Sequence, residues 1–263
     1  MALLMSANAT WKVSAAVMAS RILGLAREVM FTTIFGAGAA LDCFQLAFRV
    51  PNLLRDLFAE GALSQAFVTT FSKKLKSEGD ESAWMLANKM VTLAAVFMSL
   101  VTLAGVLAAP WIVDLLTSLA RSDHSHRVYH PEDISLTVTM VRVMYPFILL
   151  VSLAALVMGI LNAKNVFGMP ALSSCFFNLG SMIGGAAFGY WIDPTWGPRS
   201  LIGFSIGVVI GGLAQLICQF PALHRAGYHF AADFKWRDPG VRQILRLMGP
   251  AVISSSVVHP LTM

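Results

Sequence analysis

Six runs of twenty or more mainly apolar residues follow one another along the chain, at 9–35, 40–71, 83–109, 134–161, 167–191 and 200–222, and another starts at 243. About 20 such residues in helical form span the hydrocarbon layer of a bilayer. In lipid, a segment must satisfy its own backbone donors and acceptors, so each run reads as a transmembrane α-helix. Charged residues are 13% of the 263, against about 25% in an average soluble domain, too few to clothe a soluble core of this size. The expected fold class is all-α: a polytopic transmembrane helix bundle of about six complete helices and a partial seventh, with residues 1–263 forming one bundle.

Counting Lys and Arg in alternate connections orients the bundle. The second, fourth and sixth connections, extended to the adjoining helix start, hold Lys73, Lys74, Lys76, Lys164, Arg225, Lys235, Arg237, Arg242 and Arg246. The first, third and fifth hold Arg121, Arg127 and Arg199. The even connections and the N-terminus are therefore expected on the cytoplasmic side of the cytoplasmic (inner) membrane. The net charge of +5 is spread over helix ends rather than gathered on one soluble face. The partner it suggests is the anionic membrane surface and its lipids, not nucleic acid. Gly180, Gly184, Gly185 and Gly189, then Gly203, Gly207 and Gly211, recur at the spacing that lets helix backbones approach closely in lipid.

The anomaly is charge inside the first two runs. Arg21, Arg27 and Glu28 lie in the first, and Asp42, Arg49, Arg55, Asp56 and Glu60 in the second. One such side chain near the bilayer centre costs about 2.5–3.5 kcal/mol on insertion scales, so Arg21 and Arg27 facing lipid would cost about 5–7 kcal/mol together. An interior, hydrated cavity removes that cost. On ideal helical wheels Asp42, Arg49, Asp56 and Glu60 share one face, Arg21 and Glu28 share another, and Arg27 and Arg55 point elsewhere. Pro51-Asn52 is expected to interrupt the second helix, the build of a midplane substrate site. Guanidinium groups offer paired donors that suit diphosphate oxygens. Charge placement alone leaves two readings open: a cavity for an anionic diphosphate headgroup, or internal salt bridges that hold the bundle together.

The stretch "SRILGLAREVMFTTIFGAGAALDCFQLAFRVPNLLRDLFAEGALSQAFV", residues 20–68, closely resembles the opening of the MurJ (MviN) lipid II flippases of the multidrug/oligosaccharidyl-lipid/polysaccharide exporter superfamily. Shorter matches, "AAPW" at 108–111, "YPFILL" at 145–150 and "MGPA" at 248–251, carry the likeness to about residue 251. The resemblance implies a transporter, not an enzyme, that moves the undecaprenyl-diphosphate-linked peptidoglycan precursor, lipid II, across the membrane for cell wall biosynthesis. By motif position it implies Arg21, Arg27 and Arg55 as substrate-binding residues, and Asp42, Arg49 and Glu60 as further charged cavity positions. Asp56 stands where the family has a basic residue. The family has about fourteen helices in two lobes, so the chain corresponds to the N-terminal lobe. "HPLTM" after residue 258 departs from the pattern, and a truncated product lacking its C-terminal lobe is expected. An inactive membrane scaffold and an exporter of another polyprenyl-diphosphate oligosaccharide are the alternative functions.

Other chemistry finds little footing. There is no GK[ST] phosphate loop and no HExxH. His124, His126 and His130 lie in one polar connection without cysteines or a fixed helical i,i+4 pair, and read as solvated loop residues rather than metal ligands. Cys43, Cys175 and Cys218 all fall within apolar segments and read as small embedded residues. No cofactor is expected.

Overall fold

The computed structural model describes residues 7–36, 38–55, 62–122 and 130–247. Among these the chain forms nine helices: α1 (Ala7–Phe35), α2 (Ala39–Arg55), α3 (Ala62–Glu78), α4 (Asp80–Ser122), α5 (Pro131–Met144), α6 (Pro146–Ala163), α7 (Gly168–Ile192), α8 (Ser200–Ile217) and the short α9 (Phe220–Arg225). Residues 239–247 are helical again.

Four stretches are long and apolar enough to cross a membrane: Asp80–Leu119, Pro131–Ala163, Gly168–Ile192 and Ser200–Arg225. The most apolar part of the first is only 28% buried inside the protein. Its exposed Leu100, Leu103, Leu107, Trp111, Leu115 and Leu119 recur every three or four residues and make one apolar stripe along α4. Such a surface is stable against acyl chains or another apolar face, not against water. The chain is a multi-pass membrane protein. Lys12, Arg21, Arg27 and Glu28 set the 29-residue α1 apart from those four stretches, although its length suffices.

The elements depart from the sequence expectation at three places. The run 40–71 becomes two 17-residue helices, α2 and α3, on either side of 56–61. Pro51 interrupts nothing: it is buried inside α2, which continues to Arg55. Tolerance of this kind is usual where packed neighbours compensate the lost backbone bond. The basic connection at 73–81 is almost entirely helical, because α3 runs to Glu78 and Gly79, at φ +83°, makes the turn into α4 alone. The run 134–161 divides at Tyr145–Pro146 into α5 and α6, and the Tyr145 ring fills the space where Gly105 of α4 has no side chain.

α6 is the central staff. Its first half joins a core of Phe31, Phe44, Phe147, Phe177 and Phe204, and its second half joins Phe67, Phe71, Leu86, Met90 and Leu223 at the other end. α7 and α8 pack backbone on backbone. A side chain at Gly203 would land on the Gly189 backbone, one at Gly207 on the Gly185 backbone, and one at Gly211 within 2.6 Å of the Phe177 carbonyl oxygen. The glycine spacing read from the sequence is therefore a packing seam.

Opposite ends of the bundle collect alternate connections. At one end Lys164, after α6, donates to both carboxylate oxygens of Asp80 at 2.8 Å. There, too, the segment after α9 runs as a strap along the first turns of α4. The Ala231 N–H donates to Asn88, the Asp233 N–H to Thr92, and Lys89 meets Asp238 at 2.6 Å. Burial alone would raise the Asp238 carboxyl, but hydrogen bonds from the Lys89 ammonium and the Gly240 N–H outweigh it and hold the group below the ordinary carboxylate range. At the other end, the start of α5 and the α7–α8 connection border a cleft lined by Glu132, Asp133, Asp193 and Arg199.

Candidate functional site

α1 is fastened to α7 at two points. The Cys175 thiol lies 3.6 Å from the Ala16 carbonyl oxygen, and the Asn178 side-chain amide donates to the Ser20 carbonyl oxygen at 3.2 Å. Gly24 faces the same Asn178 amide, 3.9 Å from where a side chain would begin. Between these contacts and the C-terminal end of α2 the helices leave a cavity of about 290 Å³.

Two guanidinium groups share that cavity. Arg27 comes from α1, and Arg55 is the last residue of α2, where a cation also complements the helix dipole. The remaining wall carries neutral donors and acceptors, Ser20, Ser174, Asn178 and Gln215, on a floor of Phe147 and Phe177. The Arg27 guanidinium lies 5.6 Å from the centre of the Phe177 ring and 3.2 Å from a Glu28 carboxylate oxygen. Its side chain keeps 18% exposure, so the charge reaches the void without standing in open solvent. Arg27 also borders a second, smaller pocket toward Phe31, Phe44 and Phe204, with Glu28 and Gln45 in its wall.

The other charged positions separate. Arg21 and Glu28 share an exposed side of α1, and Arg21 does not line the two-arginine cavity. Asp42 is half-buried in the first turn of α2, about 20 Å along the helix from Arg55 at 1.5 Å per residue. Arg49 is exposed. Glu60 and Asp56 lie outside the described residues. On the wheels Arg27 and Arg55 point away from the shared faces; in the structure both line one cavity. A cavity between helices is set by how α1 lies on α7, and a wheel for one helix does not contain that information.

Sequence reasoning passed over Ser174, Phe177, Asn178 and Gln215. A signal existed, because Asn178 and Gln215 are uncharged polar residues within otherwise apolar membrane runs, and such residues face protein rather than lipid. His130 is exposed at the start of α5, where its N–H donates to Asp133; His124 and His126 lie outside the described residues. Among the described residues no three metal-ligating side chains gather.

The family profile described as "Lipid II flippase MurJ" matches residues 31–259. The chain belongs to the MurJ lipid II flippase family. Among curated relatives, the lipid II flippase MurJ of Burkholderia cenocepacia is 33% identical over 251 residues, covering 94% of this chain and 46% of that protein. The probable lipid II flippase MurJ of Treponema pallidum is 35% identical over 243 residues, covering 89% and 43%. A solved "Lipid II flippase MurJ, inward closed conformation" superposes with a TM-score of 0.65 at 27% identity over 92% of this chain and 47% of the other. A MATE transporter shares the fold alone, with a TM-score of 0.69 at 14% identity. The chain spans about half the length of the curated MurJ relatives it matches. Within that MurJ half, Arg27, Arg55 and the glycine seam all fall inside the described residues.

Proposed function

We propose that this chain is one lobe, residues 1–263, of a flippase that carries lipid II, the undecaprenyl-diphosphate-linked peptidoglycan precursor, across the cytoplasmic membrane. The observation that carries the reading is the single cavity shared by Arg27 and Arg55. Two guanidinium groups present paired donors that stay charged at any working pH, the complement of a diphosphate bridging two points. Ser174, Asn178 and Gln215 add neutral donors, while the polyprenyl tail remains in lipid beside the bundle. Asp42, Arg49 and Glu60 belong to the wider charged lining in this reading, and Arg21 extends the basic surface along α1. Residues from a second lobe complete the chamber, as alternating access between repeats requires.

Orientation follows from charge. The end that gathers Lys73, Lys74, Lys164, Arg225 and Lys235 is assigned to the cytoplasm, with the N-terminus on the same side. Lipid II then enters from the biosynthetic face with its headgroup in the arginine cavity, and leaves toward the end that carries Asp193 and Arg199. The membrane potential is a sufficient bias for such a cycle, at about 2.3 kcal/mol per charge per 100 mV.

The test is complementation in cells depleted of their own lipid II flippase, with the chain expressed alone and together with the C-terminal lobe of a relative. Rescue that is abolished by Arg27→Ala with Arg55→Ala supports the cavity mechanism; rescue that survives both substitutions refutes it. An exporter of a different polyprenyl-diphosphate oligosaccharide would bind the same probes in vitro but would fail to restore wall synthesis.

A further inference from the structure

We propose that Phe177 is a positioning residue: its ring face holds the Arg27 guanidinium at the cavity while leaving the guanidinium N–H groups available to an anionic ligand. The inference rests on the reading of the cavity as a diphosphate site and adds a residue to it. Arginine carries five donors in one plane, and a carboxylate partner would engage those donors and cancel the charge. An aromatic face attracts the cation from above the plane and uses none of them. Phe177 provides such a face 5.6 Å from the guanidinium carbon. Glu28 is the next residue on α1, and neighbours at i,i+1 do not face each other on a helix. Its 3.2 Å contact comes from a side chain that is 61% exposed, a poor fixture for a group that must be held still.

Phe177 itself is fixed. It is buried, packs on Phe147 with ring centres 5.4 Å apart, and sits where the α7 backbone touches Gly211 of α8. The adjacent Asn178 holds the Ser20 carbonyl two turns before Arg27. Consecutive residues of α7 therefore set both the height of α1 and the direction of its arginine, with the glycine seam as foundation.

The experiment uses the 263-residue chain in detergent with farnesyl diphosphate as the probe. Phe177→Met roughly preserves apolar volume but removes the ring face, and is expected to weaken binding three- to tenfold, a fold-change typical of a partly desolvated cation–π contact. Phe177→Tyr keeps the face and is expected to retain binding to within about twofold. In an Arg27→Ala background, Phe177→Met is expected to add less than about twofold, because the two residues act as one unit. Equal losses in both backgrounds, or none in either, overturn the proposal. Absence of farnesyl diphosphate binding by the unaltered chain, both alone and co-expressed with the C-terminal lobe of a relative, would instead overturn the diphosphate reading. Positioning is then decided by NMR of the Arg27 Nε–H, expected to be shifted upfield by the ring in the wild type and in Phe177→Tyr, with the shift lost in Phe177→Met. An unchanged Arg27 resonance in Phe177→Met refutes it.

Discussion

α7 with α8 and α1 with α2 are two helix pairs built to opposite rules. The first pair meets through glycines, backbone against backbone, with no room for a methyl group at Gly203 or Gly207. The second pair touches lightly and carries Arg27 and Arg55 into a shared void. In lipid there is no hydrophobic force to drive helices together, so close contact has to come from shape. Where shape is perfect the structure is fixed, and where it is left imperfect a charged ligand can be admitted. The contrast assigns stability to the seam and, in the proposed reading, ligand binding to the gap.

The sharpest way to break the contrast is to put a side chain into the seam. Gly207→Leu forces the Gly185 backbone away, and a cost of at least about 3 kcal/mol is expected, seen as loss of folded protein in the membrane fraction and a lower Tm in detergent. Next in size is the gap. Arg27→Ala and Arg55→Ala each remove charge-assisted hydrogen bonds worth about 1.5–3 kcal/mol, so farnesyl diphosphate binding is expected to fall about ten- to a hundredfold per substitution, with Tm nearly unchanged. A seam substitution that spared folding, or an arginine substitution that collapsed it, would erase the distinction.

The strap gives an intermediate effect. Asp238→Asn removes the partner of Lys89, two side chains with 20% and 13% exposure, and about 2 kcal/mol of local stability is expected to go with it. The measurement is amide exchange across 226–247. Because the Asp238 carboxyl is held below its ordinary range in the folded chain, this contribution is present above the unfolded carboxylate pKa of about 3.9 and is lost as pH falls through the lower folded value. Protection of the strap should therefore persist at pH 5–7 and fade in stronger acid, and in Asp238→Asn that acid step should be missing. Smallest of all is Arg49→Gln, an exposed position outside the two-arginine cavity, expected to change probe binding by less than about threefold.

Much of the bundle was legible in the sequence because lipid makes stringent demands. Apolar length marked α4, α7 and α8, and glycine spacing marked the seam between the last two. Alternating loop charge anticipated the two ends, which the Lys164–Asp80 and Lys89–Asp238 contacts tie together on one side. The finer breaks were not legible. Pro51 looked like an interruption and is not, since a local rule about a missing N–H says nothing about neighbouring helices that compensate. Pro146 does mark a break, but its place depends on the Tyr145 ring finding Gly105 on a different helix. The site divided in the same way. That arginines of the first two runs would line a cavity was readable from their cost in hydrocarbon, and Arg27 and Arg55 do so. The resemblance named Arg27 and Arg55, but helical wheels did not join them, because their common cavity depends on the seating of α1 on α7 through Asn178 and Ser20, a relation between segments more than a hundred residues apart.

The length of α4 has a mechanical consequence. Its 43 residues make a rod of about 65 Å, roughly twice the hydrocarbon thickness, and the strap grips that rod near one end, at Asn88, Lys89 and Thr92. Pivoted at Lys89, a tilt of about 10° would sweep Ser122 through about 9 Å. A swing of that size would have to lift Gly105 off the Tyr145 ring, so the strap and the α5–α6 junction pin the rod at two points.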